Sequence, residues 1–266
     1  MPTFTIITVC YNSDKTISKT IESVLNQAFQ NLEYLIIDGG SSDRTLDIIK
    51  KYELHFNERL KLVSEPDNGI YDAMNKGIKI AKGEWIIFLN SGDLFYDNNV
   101  LNQLYDFIKL NGLKDCYIFG DVETVDDCEN VIESIRYPET INSKFIVENV
   151  FCHQTSVFHR KLFEIHGCYD LTYRIIADYV YTFLLYTKRV KFVHFNGYIS
   201  KYLVGGYSAV NVNQQFIEKA VCHNKMLFHQ NSIFIKASIL WFKNKNMMRK
   251  VIRAYKNIIK KFNNEK

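Results

Sequence analysis

Residues that interrupt regular structure are scarce in this sequence, which has 3 prolines and 12 glycines among 266 residues. This composition argues against a fibrous chain and against one built largely of linkers. The 6 cysteines form no CxxC pair, so nothing indicates a zinc site or a redox dithiol. A chain of this length needs no disulfide framework either, and we expect reduced cysteines in a cytoplasmic protein.

Long apolar runs and a targeting segment are missing as well. No run approaches the ~20 apolar residues that a membrane-spanning helix needs. The first residues, 1–7, carry neither a basic leader nor a long apolar region. We therefore expect neither a signal peptide nor a membrane-spanning helix.

Charge is unevenly distributed along the chain, although the net charge is only +4. Residues 211–266 carry 12 Lys and Arg against 2 Asp and Glu, whereas residues 1–210 carry 21 against 27. An acidic body with a basic tail indicates two surfaces that meet different partners.

Apolar, β-branched runs alternate with segments of helical periodicity over the first 90 residues. Strands are predicted at 4–9, 33–37, 60–64 and 85–89, and helices at 14–29, 45–52 and 70–82. Strands that alternate with helices of roughly 10–15 residues are typical of βαβ units. The pattern therefore predicts an α/β protein with a right-handed, mostly parallel sheet flanked by helices.

Polar residues follow each of the four predicted strands, at the sheet edge where open α/β folds bind ligands. They are Tyr11, Asn12, Asp38, Asp43, Asp67, Asn68, Asn90 and Asp93. An aromatic ring can stack on a base, a carboxylate can accept from a base or ribose, and an aspartate with a divalent cation neutralises a diphosphate. Each loop alone is equally typical of a turn or cap, as at Asp43. All four together favour a nucleotide diphosphate site.

Four segments of the chain resemble family 2 glycosyltransferases of the GT-A fold. They are residues 9–12, 36–45, 69–78 and 83–93. The resemblance implies a GT-A catalytic domain over residues 1–210. Its nucleotide-sugar half would be 1–98 and its acceptor half 99–210, followed by a basic amphipathic helical extension over 211–266.

The same resemblance implies roles for individual residues. Thr8 and Tyr11 would bind the base and ribose, and Asp38 would contact the base. Further donor-binding residues would be Asn12, Asp67, Asn68, Asn75, Asn90 and Ser91. Residues 90–93 stand where the family has an Asp-x-Asp metal motif, yet only Asp93 is an acid. We expect Asp93 to ligate Mg²⁺ or Mn²⁺, with Asn90 offering a neutral oxygen at most.

Asp178 lies at the start of a predicted helix over 178–188, where residue types alone favour a helix cap over a functional acid. The resemblance implies instead that Asp178 is the general base that deprotonates the acceptor hydroxyl. Attack opposite the departing diphosphate would invert the anomeric centre. His153 precedes a segment that resembles the acceptor side of the family, although a structural histidine is an equal explanation.

Basic and large apolar residues alternate near helical spacing within 233–262. Such a helix suits an anionic membrane surface, or else packs on the catalytic body or another subunit. The many large apolar residues argue against nucleic acid. We expect peripheral contact with the inner face of the cell membrane, where a lipid-linked acceptor would lie. The sequence leaves the oligomeric state open, a homo-oligomer included.

These observations predict an inverting glycosyltransferase that moves a sugar from a nucleotide-diphospho-sugar, with a UDP-sugar favoured, to a glycan or lipid-linked acceptor. Its expected role is bacterial surface polysaccharide synthesis, such as capsule or O-antigen. One alternative is a sugar-phosphate nucleotidyltransferase, but residues 10–14 lack the glycine-rich loop that this class needs. The other is a non-catalytic, membrane-attached scaffold of transferase fold, which the missing acids at Asn90 and Gly92 would support.

Overall fold

The computed structural model describes residues 1–149, 151–205, 214–215, 217–219 and 221–222. Its strands are β1 (Phe4–Cys10), β2 (Leu32–Asp38), β3 (Leu60–Ser64), β4 (Trp85–Phe88), β5 (Leu94–Phe95), β6 (Cys116–Val125), β7 (Val131–Ile135), β8 (Ser156–His159) and β9 (Lys191–Leu203). Its helices are α1 (Ile17–Leu25), α2 (Thr45–Tyr52), α3 (Ile70–Ile80), α4 (Val100–Leu110), α5 (Ser143–Glu148), α6 (Lys161–His166) and α7 (Ala177–Thr187).

The strands of the described residues form one mixed sheet in the order β3-β2-β1-β4-β8-β6-β9-β5, with β7 paired to β6. The pairs β1–β2, β2–β3 and β1–β4 are parallel. Strand β8 is antiparallel to both β4 and β6, so it joins the parallel half to the rest of the sheet. The predicted α/β fold with a mostly parallel first half is confirmed.

Helices cover both faces of the parallel strands, which explains why every residue of β1 is buried. Because side chains alternate across a strand, neighbouring residues enter different cores. Ile6 packs in the core with α1, α2 and α4, whereas Ile7 packs with α3 and α7. The continuous apolar run in the sequence is therefore the signature of a strand with two covered faces.

The first helix is shorter than predicted, since α1 covers Ile17–Leu25 rather than 14–29. The carbonyl of Ser13 accepts from the backbone N–H of Ile17, so the preceding residues form a turn. Beyond the helix, the side chain of Gln27 donates to the carbonyl of Asp97 at 2.7 Å. The backbone N–H of Ser13 donates to the Thr45 hydroxyl at 2.7 Å, so polar groups beyond both ends of the helix bind to other segments.

Described residues beyond the predicted domain boundary after residue 210 contribute to the core. Cys222 is fully buried in the core that contains α3 and α7. Glu218 and Lys219 are also buried. Glu218, Lys219 and Cys222 thus pack with the preceding part of the chain, and the predicted membrane-binding helix within 233–262 lies outside the described residues. No helix in the described ranges has both the length and the apolar character to cross a bilayer.

Candidate active site

The carboxyl ends of β1 to β4 lie together at one edge of the sheet. Cys10 at the end of β1 pairs with Asp38 at the end of β2, and Asp38 pairs with Ser64 at the end of β3. After β4, the backbone N–H of Ser91 donates to the carbonyl of Val9 at 3.3 Å. The four polar loops predicted from the sequence therefore follow adjacent strands.

Tyr11 and Asp67 form the more open corner of this edge. Tyr11 is 63% exposed, and its ring lies beside Gly39. Asp67 Oδ1 accepts from the backbone N–H of Gly69 at 2.8 Å, while Oδ2 fills the space that a side chain at residue 39 would occupy. Neighbouring Asn68 is exposed, and its backbone N–H donates to a carboxylate in the first turn of α3. An aromatic face and a carboxylate oxygen thus lie side by side.

Asp38, which was predicted to contact the base, is enclosed by protein donors in this structure. Its side chain is fully buried. Oδ2 accepts from the N–H groups of Gly40 and Ser41 and from the hydroxyl of Ser64, at 2.7 to 3.0 Å. Oδ1 accepts from the Ser41 hydroxyl and from the Cys10 thiol, whose pKa is raised by burial and by the Asp38 charge. The carboxylate therefore shapes the loop after β2.

We expect Asp38→Ala to lower the free energy of unfolding by about 3–5 kcal/mol, because several buried donors would lose a charged acceptor. Asp67→Ala should cost under about 1 kcal/mol, since Asp67 is partly exposed. Urea unfolding of the two variants measures the difference. A stable Asp38→Ala protein that no longer binds nucleotide would restore the predicted base contact.

Thr8 and Asn75 also face the protein interior rather than the cleft. The Thr8 hydroxyl donates to the carbonyl of Leu89 at 2.6 Å. The Asn75 side chain donates to the carbonyl of Tyr169 and accepts from its N–H, both at 2.9 Å. Both residues, which were predicted to bind the sugar donor, are buried and make these hydrogen bonds. They therefore stabilise the elements around the site.

Asn12 and Ser91 connect the loops around the cleft. Asn12 Oδ1 accepts from the backbone N–H of Ser42 at 2.9 Å, and its own N–H donates to the hydroxyl of Ser41 at 2.8 Å. The hydroxyls of Ser91 and Thr16 are 2.9 Å apart. These contacts fix the relative positions of the loops after β1, β2 and β4.

The deeper corner joins the end of β4 to the start of α7. Asn90 Nδ2 donates to His153 Nε2 at 2.7 Å, which leaves the proton of a neutral ring on Nδ1. His153 Nδ1 lies 3.4 Å from Asp178 Oδ2, and the Tyr71 hydroxyl contacts Asp178 Oδ1 and the carbonyl of Ile175, both at 2.8 Å. The structure therefore brings the predicted base together with His153 and Asn90.

Asp93 is buried, at 4% exposure, and is bound by protein donors. Oδ1 accepts from the backbone N–H of Leu203 at 3.1 Å, and Oδ2 accepts from Gln154 Nε2 at 2.6 Å. Burial raises the pKa of Asp93 to about 6, against the opposing effects of the Gln154 hydrogen bond and the His153 charge. This carboxylate ties the loop after β4 to the end of β9.

The residues present do not fit a resident divalent cation. Gly92 has φ +101°, and a Cβ there would lie 2.9 Å from Leu203 Cδ2, so Leu203 covers the position of the missing acid. Asn90 Oδ1 is a buried oxygen with no hydrogen-bond partner, but it carries no charge. In the part of the chain that the structure describes, no group of three or more His, Cys, Asp or Glu residues could hold a metal ion. Asp93 as a metal ligand is therefore not supported by this geometry.

Sequence reasoning missed residues that act through long-range contacts. Tyr71 lies inside a recognised segment but had no assigned role, and neither Gln154 nor Glu218 was assigned one. Glu218 is one of only 2 acids among residues 211–266. The position of Glu218 ahead of a strongly basic stretch was the one signal in the sequence that this acid has a specific partner.

The fold has polar loops at the carboxyl ends of β1 to β4, and sequence comparison identifies the family. A profile described as "Glycosyl transferase family 2" matches residues 5–167, more than half of the chain. The chain therefore belongs to glycosyltransferase family 2 and is a transferase. It is 28% identical over 223 residues to a PGL/p-HBAD biosynthesis glycosyltransferase of Mycobacterium bovis, covering 82% of this chain and 84% of that protein. An uncharacterized glycosyltransferase of Mycobacterium tuberculosis is 33% identical over 181 residues, 66% of each chain.

Solved structures confirm the GT-A type of fold. S. aureus TarS 1–349 in complex with UDP superposes with a TM-score of 0.67 at 18% identity, covering 89% of this chain and 68% of that one. The mannosyltransferase PcManGT from Pyrobaculum calidifontis, in complex with GDP-Man and Mn²⁺, gives 0.65 at 15% identity, covering 95% and 74%. At these identities the likeness establishes the fold alone.

Proposed function

We propose that this enzyme is an inverting glycosyltransferase that transfers a sugar from a nucleoside-diphosphate sugar, preferably a UDP-sugar, to a hydroxyl of a glycan. The observation that carries the proposal is the contact chain Asn90–His153–Asp178, which links the loop after β4 to a carboxylate at the start of α7. It holds one carboxylate beside the edge of the sheet where a donor would bind.

On the donor side, the exposed Tyr11 ring would stack on the base. Asp67 Oδ2, beside Gly39, would accept a hydrogen bond from the base or from the ribose. TarS in complex with UDP and with UDP-GlcNAc, and PcManGT in complex with GDP-Man, support a nucleoside-diphosphate sugar as donor.

The transfer step needs a base because a sugar hydroxyl is a poor nucleophile at neutral pH. Asp178 takes the proton of the acceptor hydroxyl as its oxygen attacks the anomeric carbon. The bond from that carbon to the diphosphate breaks, and its electron pair leaves with the nucleoside diphosphate. The Tyr71 hydroxyl and His153 contact the two oxygens of Asp178 and so orient it.

No step of this mechanism is assigned to a protein-held cation, because Asp93 is bound by Gln154 and Leu203. We propose that Mg²⁺ or Mn²⁺, where it takes part, enters with the donor diphosphate. The Mn²⁺ in the PcManGT complex supports cation use within this fold.

We propose a glycan or lipid-linked acceptor and a role in surface polysaccharide synthesis. The relative from Mycobacterium bovis is named for PGL/p-HBAD biosynthesis, which supports a glycan product. The 12 basic residues within 211–266 support peripheral contact with an anionic membrane on its cytoplasmic face.

A screen of nucleotide sugars by thermal stabilisation and donor hydrolysis, with and without Mn²⁺, tests the proposal. We expect UDP and one UDP-sugar to stabilise the protein, and Tyr11→Ala to weaken UDP binding by about 1–3 kcal/mol. Leu54→Ala, at an exposed residue remote from the loops after the strands, is the matched control and should bind normally. Absence of binding by every nucleotide diphosphate would favour the scaffold alternative.

A further inference from the structure

Two charged residues of the C-terminal segment are buried against the loop that leads into α7. Glu218 is 6% exposed and Lys219 is 8% exposed. Charged side chains are rarely buried to this degree without a specific partner. Their partners lie at residues 174–179, immediately around Asp178.

The Glu218 carboxylate binds consecutive backbone N–H groups of this loop. Oε1 accepts from Arg174 at 3.1 Å, and Oε2 accepts from Ile175 at 2.9 Å and from Ile176 at 3.3 Å. Ile176 is the N-cap residue of α7 and has no side-chain oxygen with which to cap the helix. A carboxylate from a distant segment therefore binds the loop up to the N-cap residue of α7, close to the helix N-terminus, where the helix dipole favours negative charge.

The same loop is bound from its other side by α3. The Tyr71 hydroxyl contacts the carbonyl of Ile175, whose N–H donates to Glu218. Both polar groups of residue 175 are thus fixed, and the Tyr71 hydroxyl also contacts Asp178. Asp178 is the second residue of α7, so its position depends directly on this loop.

Lys219 lies next to the same turn. Its Nζ is 4.9 Å from the ring centroid of Tyr179, the residue after Asp178. Burial lowers the pKa of Lys219, and the negative charge of Asp178 opposes that shift. The C-terminal segment therefore places a cation within electrostatic reach of Asp178 as well as an anion on the backbone before it.

We propose that Glu218 is a positioning residue for sugar transfer: it fixes the backbone of residues 174–176 so that Asp178 meets the acceptor hydroxyl. The proposal rests on the proposed role of Asp178 as the base. It makes Glu218 a contributor to the acceptor side, although it lies beyond residue 210. A displacement of about 1 Å in a catalytic group can cost about 100-fold in rate, so the effect of Glu218 should be measurable.

The test is Glu218→Gln, which keeps the size of the side chain but puts an N–H donor where one oxygen accepts. We expect kcat to fall about 10–100-fold, while the Kd for UDP stays within about twofold of the wild type. Faster amide hydrogen exchange at residues 174–176 should accompany the loss. Glu164→Gln, at an exposed residue paired with Arg160, is the matched control and should leave kcat unchanged.

A double-mutant cycle separates positioning from general structural damage. If Glu218 acts through Asp178, then Glu218→Gln should cause no further loss of transfer in an Asp178→Asn background. Additive losses, a parallel loss of UDP affinity, or normal kcat in a folded Glu218→Gln protein would each overturn the proposal. If Glu218→Gln does not fold, Glu218→Asp keeps the charge but shortens the side chain, and it should show the same non-additivity with Asp178→Asn.

Failure of this proposal can be distinguished from failure of the proposed function. Near-normal transfer by Asp178→Asn would overturn the assignment of the base and, with it, the role of Glu218. An inactive Asp178→Asn protein together with a fully active Glu218→Gln protein would overturn the role of Glu218 alone.

Discussion

Asp178→Asn is expected to lower kcat for sugar transfer by about 10²–10⁴-fold, the range that general base catalysis contributes. Asparagine keeps the shape of the side chain and can still accept from the Tyr71 hydroxyl, but it cannot take the acceptor proton. Donor binding should be unchanged, because the donor corner lies at Tyr11 and Asp67. Transfer rates at saturating substrates and calorimetry with UDP measure the two effects separately.

Asp170→Asn provides the matched control for this substitution. Asp170 is exposed and makes a turn with Thr172, in the same loop but without a contact to the site. Its asparagine variant should retain normal kcat. Transfer by Asp178→Asn at a rate close to that of the control would show that another group removes the proton.

The fold was predictable because burial on both faces leaves a strong pattern in the first half of the chain. The run in β1 and the helical periodicity of α3 identified their elements without knowledge of partners. The short strands β7 and β8 were not predicted. Their identity depends on pairing with β6, which local sequence does not encode.

Which loop residues face the cleft was much harder to predict. Asp38 and Asp67 both follow strands and both suit a base contact by residue type. Asp38 is the last residue of β2, where its side chain turns inward and captures the N–H groups of its own loop. Asp67 lies three residues beyond β3 and reaches across Gly39. Spacing alone does not determine this difference of direction.

The contacts of Gln154 with Asp93 and of Glu218 with Ile175 show a second limit. These partners are 61 and 43 residues apart in the sequence, and each pair is brought into contact only by the tertiary structure. The resemblance to a metal motif drew attention to Asp93 by its position after β4, but not to its partners. The hydrogen bonds to Asp93, and the cover that Leu203 forms over Gly92, come from elements more than 60 residues away.

Asp93→Asn is expected to remove a pH-dependent loss of stability of about 3 kcal/mol, the equivalent of a two-unit pKa difference. Burial raises the pKa of Asp93 to about 6, above its ordinary value of about 4. The folded protein therefore holds this proton more tightly than the unfolded chain. Its contribution to stability is complete below about pH 4 and is lost as the pH rises through 6.

The asparagine variant has no charge to gain at residue 93. The free energy of unfolding of the wild type should therefore fall relative to that of the variant as the pH rises from 4 to 7. Urea unfolding across this range measures that difference. The contributions of the other carboxylates are common to both proteins and cancel. The same unfolding measurement with added Mn²⁺ tests for a metal ligand, because a cation bound by Asp93 would favour the charged carboxylate. With Asp93 held by Gln154 and Leu203, Mn²⁺ should leave the nucleotide-free wild type unchanged. Stabilisation of the wild type at pH 7, but not of Asp93→Asn, would instead make Asp93 the metal ligand that the motif predicts.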